Sequence, residues 1–249
     1  MYENGWMREG RRKLRWRVTR TLESLVPWPR GTLHYIHIGK CGGDSLWEAL
    51  LASKRIKRRF KRLRRTHVRK PVYEAGTKYV FVVRNPIERA LSAFNWRYRL
   101  VVEEGTQKTR IEGEYEALRK YGTLEALALA LYDGETLNER VAEEFRTIHH
   151  LREDIHYYLG ECFSRISPNQ VYAVLCQKTL DADIHRFIGV RNDLRVNENR
   201  QATPPERLAL SRDARARLGE FLREDYECLA RLNEFFPLEK EKADDLMRV

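Results

Sequence analysis

Residues 35–46, YIHIGKCGGDSL, carry an apolar run into a glycine pair with one lysine in front of it. Gly42 and Gly43 let a backbone approach an anion closely, and Lys40 adds a mobile positive charge. Asp44 or Ser45 can cap a following helix, and the Ser45 hydroxyl can also donate a hydrogen bond. A strand entering this turn and a helix leaving it would aim several backbone N–H groups, and the positive end of the helix dipole, at one point. The nucleotide-triphosphatase loop G-x-x-x-x-G-K-[ST] does not fit, because His34 stands at its first glycine and Cys41 at its hydroxyl residue. The spacing therefore predicts an anion cradle of another kind.

A second segment, VVRNPIERALSAF at 82–94, places Arg84 at the end of an apolar run and Ser92 two helical turns beyond it. Arg84 offers a bidentate fork suited to a phosphate, and Ser92 a directed hydroxyl facing back toward the strand end. In an open α/β sheet, ligands bind at the carboxyl ends of the strands, which is where Lys40 must also lie.

The elements that must position these residues are legible as a pattern. TLHYIHI (32–38), KYVFVV (78–83) and VYAVL (171–175) read as strands. Leu46, Leu50, Ile56, Phe60 and Leu63 fit one long helix after the first. Asn85 caps, and Pro86 opens, a helix running to about Leu100. Residues 112–160 and 179–188 are helical in pattern, and RARLGEFLREDYECLARL (215–232) is one amphipathic helix. Strands separated by helices predict an α/β fold with a mainly parallel sheet between helical layers.

Composition sets the outer limits. The chain has 249 residues, 42% hydrophobic and 33% charged, which fits one ordinary α/β domain over 31–249. Residues 1–30 form a basic N-terminal extension, with Leu14, Val18, Leu22 and Leu25 at helical spacing before Pro27. The net charge of +11 is concentrated: residues 1–70 hold 20 Lys or Arg against 5 Asp or Glu, so an anionic partner is expected. The four cysteines are widely spaced and read as free thiols. The longest clean apolar run, ALALALY at 126–132, is too short to span a bilayer, and the N-terminus lacks an apolar leader. A soluble, cytoplasmic protein is expected. No grouped Cys/His spacing predicts a metal.

Taken together, HIGKCGGDSL resembles the 5′-phosphosulfate loop of the sulfotransferases that use 3′-phosphoadenosine 5′-phosphosulfate (PAPS). VVRNPIERALSAF resembles their 3′-phosphate segment, with arginine and serine at the same separation. QKTLDADIHRFIGV and FLREDYECLARL are similar to that family's C-terminal part, so the likeness covers most of 33–233. The resemblance implies a P-loop-like three-layer fold that transfers a sulfuryl group from PAPS to a hydroxyl or amine without a metal. It implies that Lys40 contacts the 5′-phosphosulfate and stabilises the leaving phosphate, that residues 42–45 with Cys41 wrap the 5′ end, and that Arg84 and Ser92 hold the 3′-phosphate. The sequence departs from the family at Gly39, Cys41 and Asp44, where proline, threonine or serine, and a hydroxyl residue are usual. A carboxylate at 44 repels an anionic donor unless it turns away as a helix cap.

Such enzymes need a base for the acceptor. His67, in RRTHVRKP between the first helix and the KYVFVV strand, is the candidate, and its cationic neighbours favour the neutral imidazole that accepts a proton. His149, His150 and Glu48 are alternatives, and His37 reads as packing. The run from 54 to 70 contains 11 Lys or Arg and no acid. It fits a solvated face, a nucleic-acid contact, or the wall of a groove for an acidic glycan acceptor. The competing classes are a basic nucleic-acid-binding protein, which has no use for Arg84 and Ser92, and a nucleotide kinase, which the missing G-K-[ST] disfavours.

Overall fold

A computed structural model describes residues 31–190 and 203–249. Four parallel strands form the central sheet: β1 (Thr32–Ile36), β2 (Arg62–Thr66), β3 (Lys78–Val83) and β4 (Val171–Cys176), in the order β2-β1-β3-β4. β3 is buried at every position, as a strand covered on both faces must be, and its unbroken apolar sequence reflects that. From β1 the chain turns to one side of the sheet, to β2, and from β2 it crosses to the other side, to β3. The outgoing connections of β1 and β3 therefore diverge, and a crevice opens between their carboxyl ends.

After β1, the turn at residues 37–42 leads into α1 (Gly43–Ala52), followed by α2 (Lys54–Arg59). The long helix expected over 46–63 is broken at Ser53. Its extended backbone ends α1, and its hydroxyl accepts from the Ile56 N–H (3.2 Å) while donating to the Ile188 carbonyl (2.7 Å). Beyond α2 the chain becomes strand, because β1 takes a partner at its free edge, with Leu63 opposite Leu33 and Thr66 opposite Ile36. The basic run is thus divided between a short helix and an edge strand, where exposed arginines also oppose edge-to-edge association.

β3 leads directly into α3 (Pro86–Tyr98). Asn85 caps it by accepting from the Glu88 N–H (3.1 Å), and Pro86 occupies the first turn, as expected. The region 112–160 contains α4 (Glu114–Tyr121), α5 (Leu124–Ala130), α6 (Glu139–Thr147) and α7 (Ile155–Leu159), with a small antiparallel hairpin pairing Tyr132–Asp133 with Thr136–Leu137. After β4 and a short helical segment to Ile188, the tail holds α8 (Arg212–Phe221), α9 (Arg223–Phe235) and α10 (Lys240–Met247). The single helix expected over 215–232 is two, divided at Leu222.

Two apolar cores result. One surrounds the sheet, with Leu33, Ile36, Phe81 and Leu175 at its centre. The other lies among α3 to α6 and α8, around Ile87, Phe94, Leu127 and Phe145. All four cysteines are buried and unpaired. Among the described residues, no helix is long and apolar enough to cross a membrane. The expected extension at 1–30 lies outside the described residues.

Candidate functional site

The crevice between β1 and β3 opens into a cavity of 470 Å³, whose wall includes Lys40, Arg84, Ser92, Trp96, Arg99 and Arg207. Its size falls within the usual range for small-molecule sites. Lys40, Arg84 and Ser92, singled out from two separate segments, thus face one space. Arg84 follows the last residue of β3, and Ser92 and Trp96 lie one turn apart on α3.

Lys40 adopts a left-handed backbone (φ 67°), uncommon for a residue with a Cβ, at the tip of the turn. Its Nζ stands 4.3 Å from the centre of the Trp96 ring. Burial, reinforced by Arg84 and Arg99, lowers its pKa to about 8. Arg84 Nη1 donates to the Lys40 carbonyl (3.3 Å), so the second motif supports the backbone of the first. The carboxylates at this cavity are engaged: Glu88 pairs with Lys178 (3.0 Å), and Glu103 with Arg207 (2.6 Å). The cavity is suited to an anion.

The inner side of the turn is set by packing. Gly42, at φ 81°, stands at the N-cap position of α1 with no side-chain cap, and neither Asp44 nor Ser45 caps the helix, contrary to expectation. Both belong to the first helical turn. Asp44 is neutralised by Arg65, whose Nη2 lies 2.5 Å from Oδ1, so pairing rather than capping offsets its charge. A Cβ on Gly43 would overlap the Tyr35 hydroxyl and the His37 ring, and one on Gly39 would lie 2.6 Å from His150 Nδ1. A side chain at 39 is therefore opposed by the His150 ring in this chain. The Cys41 side chain is fully buried and its thiol is pushed up to about 11 by burial, so its side chain belongs to the core and only its backbone faces the turn.

His67 lies just past the end of β2. Its Nδ1 is 3.2 Å from the His37 carbonyl oxygen, an acceptor, so this nitrogen carries the proton and Nε2 keeps its lone pair. Burial lowers its pKa, opposed in part by that hydrogen bond. The ring stacks on His37 (4.1 Å between centres) and lies 5.8 Å from His150, which stacks on His149 (4.1 Å). His37 is buried as expected, and its Nδ1 accepts from Arg65 Nε (3.0 Å). His149 and His150 therefore join His67, whereas Glu48 is exposed on α1.

Sequence reasoning missed the residue that joins the two halves. Arg89 is fully buried on α3, and its Nη1 donates to the carbonyls of His150 (2.7 Å), Glu153 (3.3 Å) and Gly39 (3.4 Å). The available signal was a cation between the apolar positions Ile87, Ala90 and Phe94. Trp96, at i+4 from Ser92, was equally within reach of helical spacing. Comparison of the chain with protein-family models, curated proteins and solved structures finds no match.

Proposed function

We propose that the protein transfers a sulfuryl group from PAPS to a hydroxyl or amine of an acceptor, on a P-loop-like fold. One observation carries this reading: Lys40, Arg84 and Ser92 line a single cavity at the carboxyl ends of the neighbouring strands β1 and β3. Arg84 and Ser92 hold the 3′-phosphate, while the turn at 40–45 and the start of α1 receive the 5′-phosphosulfate. The sulfur–oxygen bond to the 5′-phosphate breaks as the acceptor oxygen or nitrogen bonds to sulfur. The phosphate leaves with the electron pair, facing Lys40, and the acceptor proton passes to His67 Nε2, which stands beside the turn at 37–43 and outside the cavity wall, so the acceptor enters from the β2 side. Of the basic run, Arg69 and Lys70 just beyond His67 are exposed and favour an acidic glycan as the acceptor class, whereas Lys57, Arg58, Lys61 and Arg62 lie toward the amino end of β2, away from the site.

Calorimetric titration with adenosine 3′,5′-bisphosphate tests the reading. Loss of the charge-assisted contact in Arg84→Ala weakens this ligand by roughly tenfold to a hundredfold, and adenosine 5′-monophosphate far less. Absence of binding to the unaltered protein, or equal losses for both ligands, overturns it.

A further inference from the structure

The second concentration of buried polar groups lies outside the cavity, in the segment HHLRE at 149–153 that follows α6. His149, His150 and Glu153 are all more than nine-tenths buried, and one donor atom from each lies within 4.8 Å of the other two. Glu153 is held rigidly: Oε1 accepts from Arg152 Nε (2.9 Å) and Nη2 (2.8 Å), and Oε2 accepts from the His150 N–H (2.8 Å). That anchored Oε2 stands 3.8 Å from His149 Nε2, beyond a hydrogen bond but close to the separation of two ligands on one tetrahedral ion, about 3.4 Å for bonds of about 2.0–2.2 Å. The Nδ1 atoms of His149 and His150 are buried without a hydrogen-bond partner. Leaving such a group unsatisfied costs about 1–3 kcal/mol, and an ion held through His149 Nε2 relieves at most the His150 side.

We propose that His149, His150 and Glu153 form a binding site for a transition-metal dication of the zinc class. Two imidazoles and one carboxylate select Zn2+ or Co2+ over Mg2+ and Ca2+, which take oxygen donors. Arg152 serves as the outer partner that fixes the carboxylate, as groups behind metal ligands commonly do. Its charge, with Lys40 and Arg89 nearby, works against a dication, so affinity must come from the imidazole nitrogens. The two rings stand nearly parallel (21°), and both ligate only if one tilts out of the stack. The sequence alone predicts no metal here, because adjacent histidines followed by glutamate match no familiar ligand spacing.

The experiment uses the full chain after treatment with a chelator, with Co2+ and then Zn2+ as probes. One equivalent of Co2+ is expected to give the visible bands of a tetrahedral site, displaced by Zn2+, and Zn2+ is expected to raise the melting temperature. His149→Asn and Glu153→Gln should each weaken binding at least tenfold, while the controls His34→Gln and His185→Gln leave it unchanged. If either site variant fails to fold, the His149 and His150 ring proton resonances of the unaltered protein decide: both shift on adding Zn2+ if the site exists. No stoichiometric Co2+ binding, equal affinity in folded site variants, or unmoved resonances overturns the proposal. No nucleotide or acceptor enters the measurement, so its outcome is separate from that of the sulfuryl-transfer reading.

Discussion

The cation-lined cavity and the histidine cluster meet at one turn, 37–43, and treat charge in opposite ways. In the cavity, Lys40 and Arg84 keep their charges beside open space, with Lys40 resting on the Trp96 ring. In the cluster, burial drives His37 and His150 down to about 2, and the remaining charge is tightly matched. Nearby, Arg97 and Glu114 form a fully buried two-pronged pair (2.8 and 2.7 Å), and Glu114 Oε1 also accepts the His149 N–H (2.8 Å). A cation left for a ligand and a cation committed to the fold differ in what surrounds them, although both are arginines, Arg84 just before α3 and Arg97 on it.

The strongest test of that contrast compares two arginines. Arg97→Met strands a buried carboxylate and is expected to cost about 3–5 kcal/mol of unfolding free energy in urea. Arg84→Ala leaves no buried carboxylate behind and is expected to cost less than about 1 kcal/mol. Equal destabilisation would erase the distinction. A smaller effect is expected on the turn itself. Gly43→Ala forces a methyl into the Tyr35 hydroxyl and the His37 ring, and overpacking of this kind costs about 1–3 kcal/mol. An unchanged melting temperature would show that the turn is not held from inside by the histidine side.

These two regions were not equally legible in the sequence. Lys40, Arg84 and Ser92 were found because each sits a fixed step from a strand end, and strands β1, β3 and β4 announce themselves as apolar runs. The positioning of the cluster depends on topology. His67 reaches His37 only because Arg62–Thr66 pairs with β1, and that segment, rich in arginine, reads as helix until a sheet edge is available to it. His150 packs directly on Gly39, and Arg89 ties the two together through backbone carbonyls that carry no residue-type signal. The place of Asp44 in a motif carries no sign of its partner Arg65, which reaches α1 from β2.

The pH dependence of the proposed nucleotide binding sharpens the cavity side. Lys40 is faced by Arg84 at the end of β3 and by Arg99 beyond α3, which lower its pKa, and by Asp44 on α1, which raises it, while burial dominates at about 8. Below that pH, Lys40 is charged and attracts a phosphate. As pH rises through 8 the free protein loses this proton, and a bound anion must restore it, so affinity for adenosine 3′,5′-bisphosphate falls by up to about tenfold per pH unit. The ligand's own phosphates ionise near 6 and are settled in this range. Calorimetry from pH 7 to 9.5 should show the decline and proton uptake on binding, and Lys40→Met should flatten both. A pH-independent affinity in the unaltered protein would place Lys40 away from the phosphates.

The smallest expected effect lies where the two regions share a charge. Asp44 is half exposed and its partner Arg65 about three-quarters buried, so the ion pair between them contributes only about 0.2–1 kcal/mol to stability. Asp44→Asn should therefore shift the melting temperature slightly. Its larger consequence is electrostatic: Arg65 is released from the carboxylate, one negative charge leaves the turn at 40–45, and on the proposed reading bisphosphate affinity should rise by a few-fold, more at low salt than at high. Arg65→Gln should do the reverse by leaving Asp44 uncompensated beside the turn, and it also removes the donor to His37 Nδ1. Opposite changes in affinity from the two single variants, cancelling in the double variant, would show that Asp44 is tolerated at 44 because β2 supplies its counter-charge. Equal affinities in all three would place Asp44 outside the field of the proposed nucleotide and leave the turn at 40–45 electrically separate from the histidine side.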